Sequence, residues 1–352
     1  MMKSAAAGGL VVVAGCAVVL AGCGGGGSDS SSSTTENKTL ATALGYLPAD
    51  ATRVQFGDST PWLKEHGFAK KRPAELLKDE KFFRQLPNAA FPESDLWNFS
   101  RVMKDWGWSA ADIAWSATAA AGRGPLLHYV RFRDSTDIGV VKKSLISHGY
   151  KEHGDKLVGP SLGSVADPLT AQIVASLGHT VRFYSDKHLM AGSTMDTLPE
   201  LPDASKSLGA AAGIRAVVAP ITTADYVRIS AGADACIMPL RASARTLKQL
   251  DSIDRFTASA TAVVSDSKST ATVAYSSSDA AAKDLPHRKA FVKGLSLRTR
   301  EPYNRLARFT LKRRDSTIRY TIDAEPRVVT QMLQNQDAPW AMCKQPKKTS
   351  SN

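Results

Sequence analysis

Apolar side chains recur at every second position in paired segments of this chain, and that period constrains its fold more than any other feature. Residues 112–120 (DIAWSATAA) and 126–133 (LLHYVRFR) flank the string AGRGP, which reads as a hairpin. Residues 255–265 (RFTASATAVVS) and 269–277 (STATVAYSS) form a second such pair, and 306–313 with 317–323 a third. Hairpins of this kind build antiparallel sheets. The regular strand-helix alternation of a dinucleotide-binding or α/β-hydrolase core is missing, which also argues against a two-lobed solute-binding protein.

Between the hairpins, helices are expected at 73–84, 95–105, 137–148 and 168–177, and at 285–295 with Pro286 in its first turn. Single strands are expected at 52–56, 156–158, 181–184, 188–191 and 226–230. The order strand, helices, hairpin, helix, hairpin occurs twice. SATA stands at 116–119 and again at 259–262, VRF at 181–183 matches ARF at 307–309, and TRVQF at 52–56 has a counterpart in YVRIS at 226–230. The expected fold is therefore α+β, with two similar halves, each an antiparallel sheet of hairpins with helices packed on one face. The halves span 41–204 and 205–345, followed by a disordered tail at 346–352. Two unrelated α+β domains remain the alternative.

The N-terminus has a different composition. Lys3 is the one charge among the first 22 residues, and an apolar run from Ala5 ends in Leu20-Ala21-Gly22-Cys23. The run is short of the roughly 20 apolar residues that span a bilayer. It fits a cleaved signal peptide over residues 1–22. Here the chain resembles the bacterial lipoproteins, whose lipobox LAGC matches. That resemblance implies that Cys23 carries a diacylglyceryl group and that the protein is anchored by it to the cell membrane, on the extracytoplasmic face. Residues 23–40 then form a lipidated, flexible Gly/Ser tether. The Ala- and Arg-rich composition suggests an actinobacterial surface lipoprotein, and LGYLPADATRVQFGD at 44–58 is similar to the opening of several uncharacterised ones.

Four cysteines are present. With Cys16 in the cleaved segment and Cys23 lipidated, Cys236 and Cys343 are left as a disulfide pair in an exported chain, or as two buried thiols. No CxxC or HxxxH spacing accompanies them, so no metal site is expected, and nothing calls for a cofactor.

Charge is uneven along the chain. Residues 1–204 hold 21 basic and 21 acidic side chains, whereas 205–352 hold 24 and 12, which accounts for the whole net charge of +12. The segment 283–319 alone has 12 basic residues against three acids. Arg288, Lys289, Lys293, Arg308, Lys312, Arg313 and Arg314 are candidates for contact with an anionic lipid or cell-wall polymer. The competing reading is a solvated face that serves solubility. Nucleic acid is excluded as a partner for an exported chain.

Catalytic signals are weak. GPSLG at 159–163 matches GxSxG, but Pro160 precedes the serine and the next helix starts several residues on, unlike a nucleophile elbow. SDSK at 265–268 matches SxxK, yet it falls in a hairpin turn. Five of six tryptophans, at 62, 97, 106, 108 and 115, crowd into one region, as core packing or as sugar-stacking faces. The expected function is thus a membrane-anchored, non-enzymatic binding or envelope-associated role. An envelope serine hydrolase using Ser161, or a lipid or solute carrier with an enclosed apolar cavity, are the alternatives.

Overall fold

The structure, a computed structural model, describes residues 37–85, 106–122, 124–165, 167–237, 248, 250–265 and 268–344. Cys23, the helix expected at 95–105 with Trp97, and the tail after 345 lie outside the described residues. In chain order, the first elements are α1 (Lys38–Gly45), β1 (Arg53–Asp58), α2 (Thr60–Glu65), α3 (Pro73–Leu76) and α4 (Glu80–Gln85). Then come β2 (Ile113–Ala120), β3 (Leu127–Phe132), α5 (Ile138–Ser147), β4 (Lys151–His153), β5 (Lys156–Val158), α6 (Pro168–Leu177), β6 (Thr180–Tyr184) and β7 (Leu189–Ser193). The remainder comprises α7 (Ala212–Val218), β8 (Tyr226–Ala231), β9 (Ala258–Val263), β10 (Ser269–Ala274) and α8 (Ser278–Phe291). It closes with α9 (Tyr303–Leu306), β11 (Arg308–Arg314), β12 (Thr317–Asp323) and α10 (Pro326–Gln334).

The described strands form one open sheet of 12, ordered β11-β12-β10-β9-β8-β1-β2-β3-β7-β6-β5-β4. Every pairing is antiparallel. β1 and β8 pair at the centre, with Gln55 opposite Arg228. Outward from that pair the order is 1-2-3-7-6 on one side and 8-9-10-12-11 on the other. The mixed helix-and-sheet class and the antiparallel hairpins match the period-two reading.

Alternation along the strands feeds two faces. On one face, Val54, Phe56, Ala117, Ala119, Val227, Ile229, Ala260 and Ala262 pack in a single cluster with Leu40, Ala43 and Leu44 of α1 and Ile214, Val217 and Val218 of α7. On the other face, Val130, Phe132, Val181 and Met190 meet α5, α6 and the short helices before β2. Val263, Val273, Ile318, Tyr320 and Ile322 meet α8, α9 and α10 there. Helices therefore cover both faces, not one. The reason is local: the short helix α7 seats over the alanines of β9, which leave room for a close helix, and α1 lies beside it over β1.

Local chemistry sets the ends of the elements. Asn37 caps α1, its Oδ1 accepting from Leu40 N at 3.0 Å, so the helix begins at Lys38 inside the stretch expected to be tether. The single helix expected at 73–84 is two, because Asp79 Oδ1 accepts from Lys81 N at 2.8 Å and starts α4 afresh. α8 begins at Ser278, capped by Ser277, so Pro286 is inside the helix and not in its first turn. Gly192 is forced: a Cβ there would lie 1.9 Å from the Leu177 carbonyl, where β7 runs under the end of α6.

Candidate functional site

The basic segment divides according to which face each side chain occupies. On β11 and β12, Phe309, Leu311, Ile318, Tyr320 and Ile322 belong to the cluster under α8 and α10. The intervening residues face the opposite way. Antiparallel register places Arg308 opposite Asp323, Thr310 opposite Thr321, Lys312 opposite Arg319, and Arg314 opposite Thr317. Thr270 of β10 extends the threonine row, opposite Thr321.

Arg308, Thr310, Lys312, Arg314 and Arg319 are all exposed, and α7 reaches only as far across this face as β9 and β10. The outer two strands thus present a flat face of four cations interleaved with threonine hydroxyls. Spacing follows from the sheet: about 4.8 Å between strands and about 7 Å between alternate residues on one strand. Asp323 is the acid on this face, and Lys268 Nζ holds it at 2.9 Å. The Lys268 hydrogen bond, with Arg308 adding to the field, keeps the Asp323 carboxyl below its usual range and anionic. One carboxylate thus stands against four cations and Lys268. Four guanidinium or ammonium groups and three hydroxyls on a plane form a donor array suited to phosphate or carboxylate oxygens.

The other expected contacts separate from that plane. Arg288 is fully buried and is corrected from surface contact to structural keystone. Its Nε donates to Asp284 Oδ2 at 2.7 Å, Nη2 to the Asp254 carbonyl at 2.7 Å and Nη1 to the Met342 carbonyl at 2.8 Å. Burial opposes its charge, but Tyr320, Tyr275 and Asp284 outweigh that and raise its pKa. Arg313 points to the helix side, where Nη1 donates to Ser278 Oγ at 2.8 Å. Lys289, on the last turn of α8, and Lys293, just past its end, line a groove of about 570 Å³ together with Val292, Arg308, Phe309 and Leu311. Arg319 belongs with the plane. Its place opposite Lys312, at equal distance from the 315–316 turn, was the available signal in the sequence.

Cys236 and Cys343 form a disulfide, with their Cα atoms 5.8 Å apart. The neighbouring Ile237 N–H donates to the Ala341 carbonyl at 2.7 Å, so the C-terminal segment is stitched beside β8 by covalent and hydrogen bonds together. Trp62, Trp106, Trp108, Trp115 and Trp340 are all buried, which settles core packing over an exposed stacking face for these five.

Ser161 is exposed and stands before a short turn at Leu162–Ser164, with α6 starting only at Pro168. Its carbonyl accepts from Ser164 N and Oγ. His179, whose carbonyl accepts from Gly159 N, directs Nε2 to Asp196 Oδ1 at 3.1 Å. No hydrogen bond from the Ser161 hydroxyl to a histidine occurs among the described residues, so the nucleophile–base link of a serine hydrolase is not made. No cluster of three metal-ligating side chains occurs among the described residues either. A second groove, of about 240 Å³, lies between α1 and α7, with Asn37 in its lining.

No family model, no curated protein and no solved structure matches this chain.

Proposed function

We propose that this chain is a lipid-anchored extracytoplasmic protein that binds phosphate-bearing anionic surfaces, through the bare face of β11 and β12. The observation that carries this reading is the plane of Arg308, Lys312, Arg314 and Arg319, interleaved with Thr310, Thr321 and Thr270. The lipobox ending in Cys23 supports attachment to the membrane, and the Cys236–Cys343 disulfide is consistent with an oxidising compartment. No described helix is long and apolar enough to cross a membrane. A diacylglyceryl group carries two acyl chains and suffices for stable anchoring, so the polybasic face adds contact with the surface beyond the anchor itself.

Anionic headgroups and wall polymers share the same phosphodiester chemistry, so the test has two arms. The unlipidated mature chain is cosedimented with phosphatidylglycerol vesicles over a range of salt, with soluble polyphosphate as competitor. Binding that weakens steeply with salt supports the reading. Release by polyphosphate at low excess would favour a polymer, and retention would favour the bilayer surface. Binding to neutral phosphatidylcholine vesicles at equal strength would reject an electrostatic face.

We also propose that the two halves arose by duplication. Val54 and Phe56 pair with Ala119 and Ala117, just as Val227 and Ile229 pair with Ala262 and Ala260, so the two SATA strings stand in one register. Carried outward, the pairing of Val130 with Met190 corresponds to that of Val273 with Ile318. On this alignment Arg53 corresponds to Tyr226, one residue away from the TRVQF–YVRIS match. Phe183 corresponds to Arg313, so VRF and ARF are not equivalent. At 313 and 314 the second half thus carries arginines where the first half has Phe183 and Tyr184, whereas Lys312 corresponds to Arg182.

A further inference from the structure

β11 is the edge strand of the sheet among the described residues, and the direction of its backbone groups follows from its neighbours. Tyr275 N donates to the Ser316 carbonyl at 2.8 Å, so residues 316, 318, 320 and 322 turn their backbone groups toward β10. Residues 317, 319, 321 and 323 must then bond β11 through 314, 312, 310 and 308. The N–H and C=O groups of Phe309, Leu311 and Arg313 are left pointing outward along the open edge. That edge borders the groove of about 570 Å³ floored by Val292, Phe309 and Leu311 and rimmed by Lys289 and Lys293. The opposite edge of the sheet, β4, is only three residues long.

We infer that β11 is a strand-addition site for an extended peptide in which acidic and apolar residues alternate. Residues of an added strand that stand opposite Phe309 and Leu311 face the apolar floor. Those opposite Arg308, Lys312 and Arg314 face the cations, and an acidic side chain is the complement there. A second copy of this chain is disfavoured by the same charges. Antiparallel pairing of β11 with itself about Leu311 sets Arg308 opposite Arg314 in both directions. The inference shares Arg308, Lys312 and Arg314 with phosphate binding by the sheet face but adds the edge amides and the groove, which variants at Arg313 and amide exchange test separately.

The test uses a fluorescein-labelled octapeptide of alternating Glu and Val, titrated against the mature chain carrying Cys23→Ser, with an alternating Lys and Val peptide as control. Arg313→Pro removes one outward donor and leaves the β12 ladder intact, since proline is tolerated on an edge where its N–H would face solvent. Arg313→Ala removes the charge and keeps the donor. Saturable binding of the acidic peptide is expected, weakened about tenfold by Arg313→Pro and about threefold or less by Arg313→Ala. Amide exchange at Phe309, Leu311 and Arg313 is expected to slow when the peptide binds, a reading that needs no variant. Equal binding by the Pro variant, equal binding of the Lys peptide, or unchanged exchange at those three amides would overturn the inference. So would self-association of the free chain that Arg313→Pro abolishes, which would assign the edge to a second copy.

Discussion

Arg288 Nε stands 2.7 Å from Asp284 Oδ2, one helical turn apart on α8, and both side chains are almost completely buried. The Tyr275 hydroxyl donates to the same carboxylate oxygen at 2.6 Å, and the remaining guanidinium hydrogens reach carbonyls of Asp254 and Met342. One arginine thus fastens α8 to the segment that enters β9 and to the C-terminal stretch that holds Cys343. Removing one member of a buried pair leaves the other charged and unpaired. Arg288→Ala is expected to lower the unfolding free energy by about 3 to 5 kcal/mol, measured by urea denaturation. Vesicle binding below the melting temperature is expected to be unchanged, which separates this residue from the surface cations.

Asp58, at the end of β1, and Asp225, just before β8, are buried side by side, and Asp58 N donates to the Asp225 carbonyl at 3.0 Å. Burial raises both pKa values above 3.8, against the hydrogen bonds that Thr60 and Ser265 donate. A folded-state pKa above the unfolded one favours folding at low pH and loses that contribution as pH rises through the folded value. Asn at position 225 copies the neutral acid and still accepts from Ser265. Asp225→Asn is therefore expected to raise the melting temperature at pH 7, with the gain vanishing below pH 3.8. Because Asp58 feels the Asp225 charge, the double change with Asp58→Asn is expected to gain less than the sum.

The disulfide closes a loop with a sequence separation of 107 residues. Loop-closure entropy assigns such a crosslink about 4 to 5 kcal/mol, less any strain. Cys236→Ala with Cys343→Ala is expected to lower the denaturation midpoint, and adding dithiothreitol to the native chain is expected to reproduce that shift. A double variant as stable as the native chain would show that the backbone bonding beside it suffices.

Strand periods are legible in the sequence because each hairpin alternates cleanly, and a chain that buries one set of residues on each face must alternate. The disulfide comes from counting cysteines. Three features are not legible, each for a physical reason. The start of α1 hides in the tether because Lys38 and Thr39 look like linker, and its cap depends on where the Asn37 side chain turns. Arg288 is indistinguishable from its basic neighbours, since local sequence gives no sign that Asp284, Tyr275 and three segments of chain converge on it. Arg313 and Lys312 are adjacent and equally charged, yet they face opposite ways. The strand period separates them, but which of the two faces is bare follows only from where the helices pack. The bare face itself depends on the path the chain takes after β12. It leaves toward α10 on the other side, whereas after β7 it returns across the α1 face, where Leu198 and Leu208 join the core.

The central claim is that the plane of β11 and β12, and not the overall net charge, binds anionic surfaces. The most direct measurement compares two double charge reversals of the unlipidated mature chain in cosedimentation with phosphatidylglycerol vesicles. Lys312→Glu with Arg319→Glu alters two facing residues of the plane, whereas Lys64→Glu with Lys78→Glu makes the same charge change elsewhere, at two exposed positions. Each basic residue near an anionic surface contributes about 1 kcal/mol, so the first pair is expected to lose at least about tenfold in affinity and the second much less. Equal losses from the two pairs, or none from the first, would contradict the account.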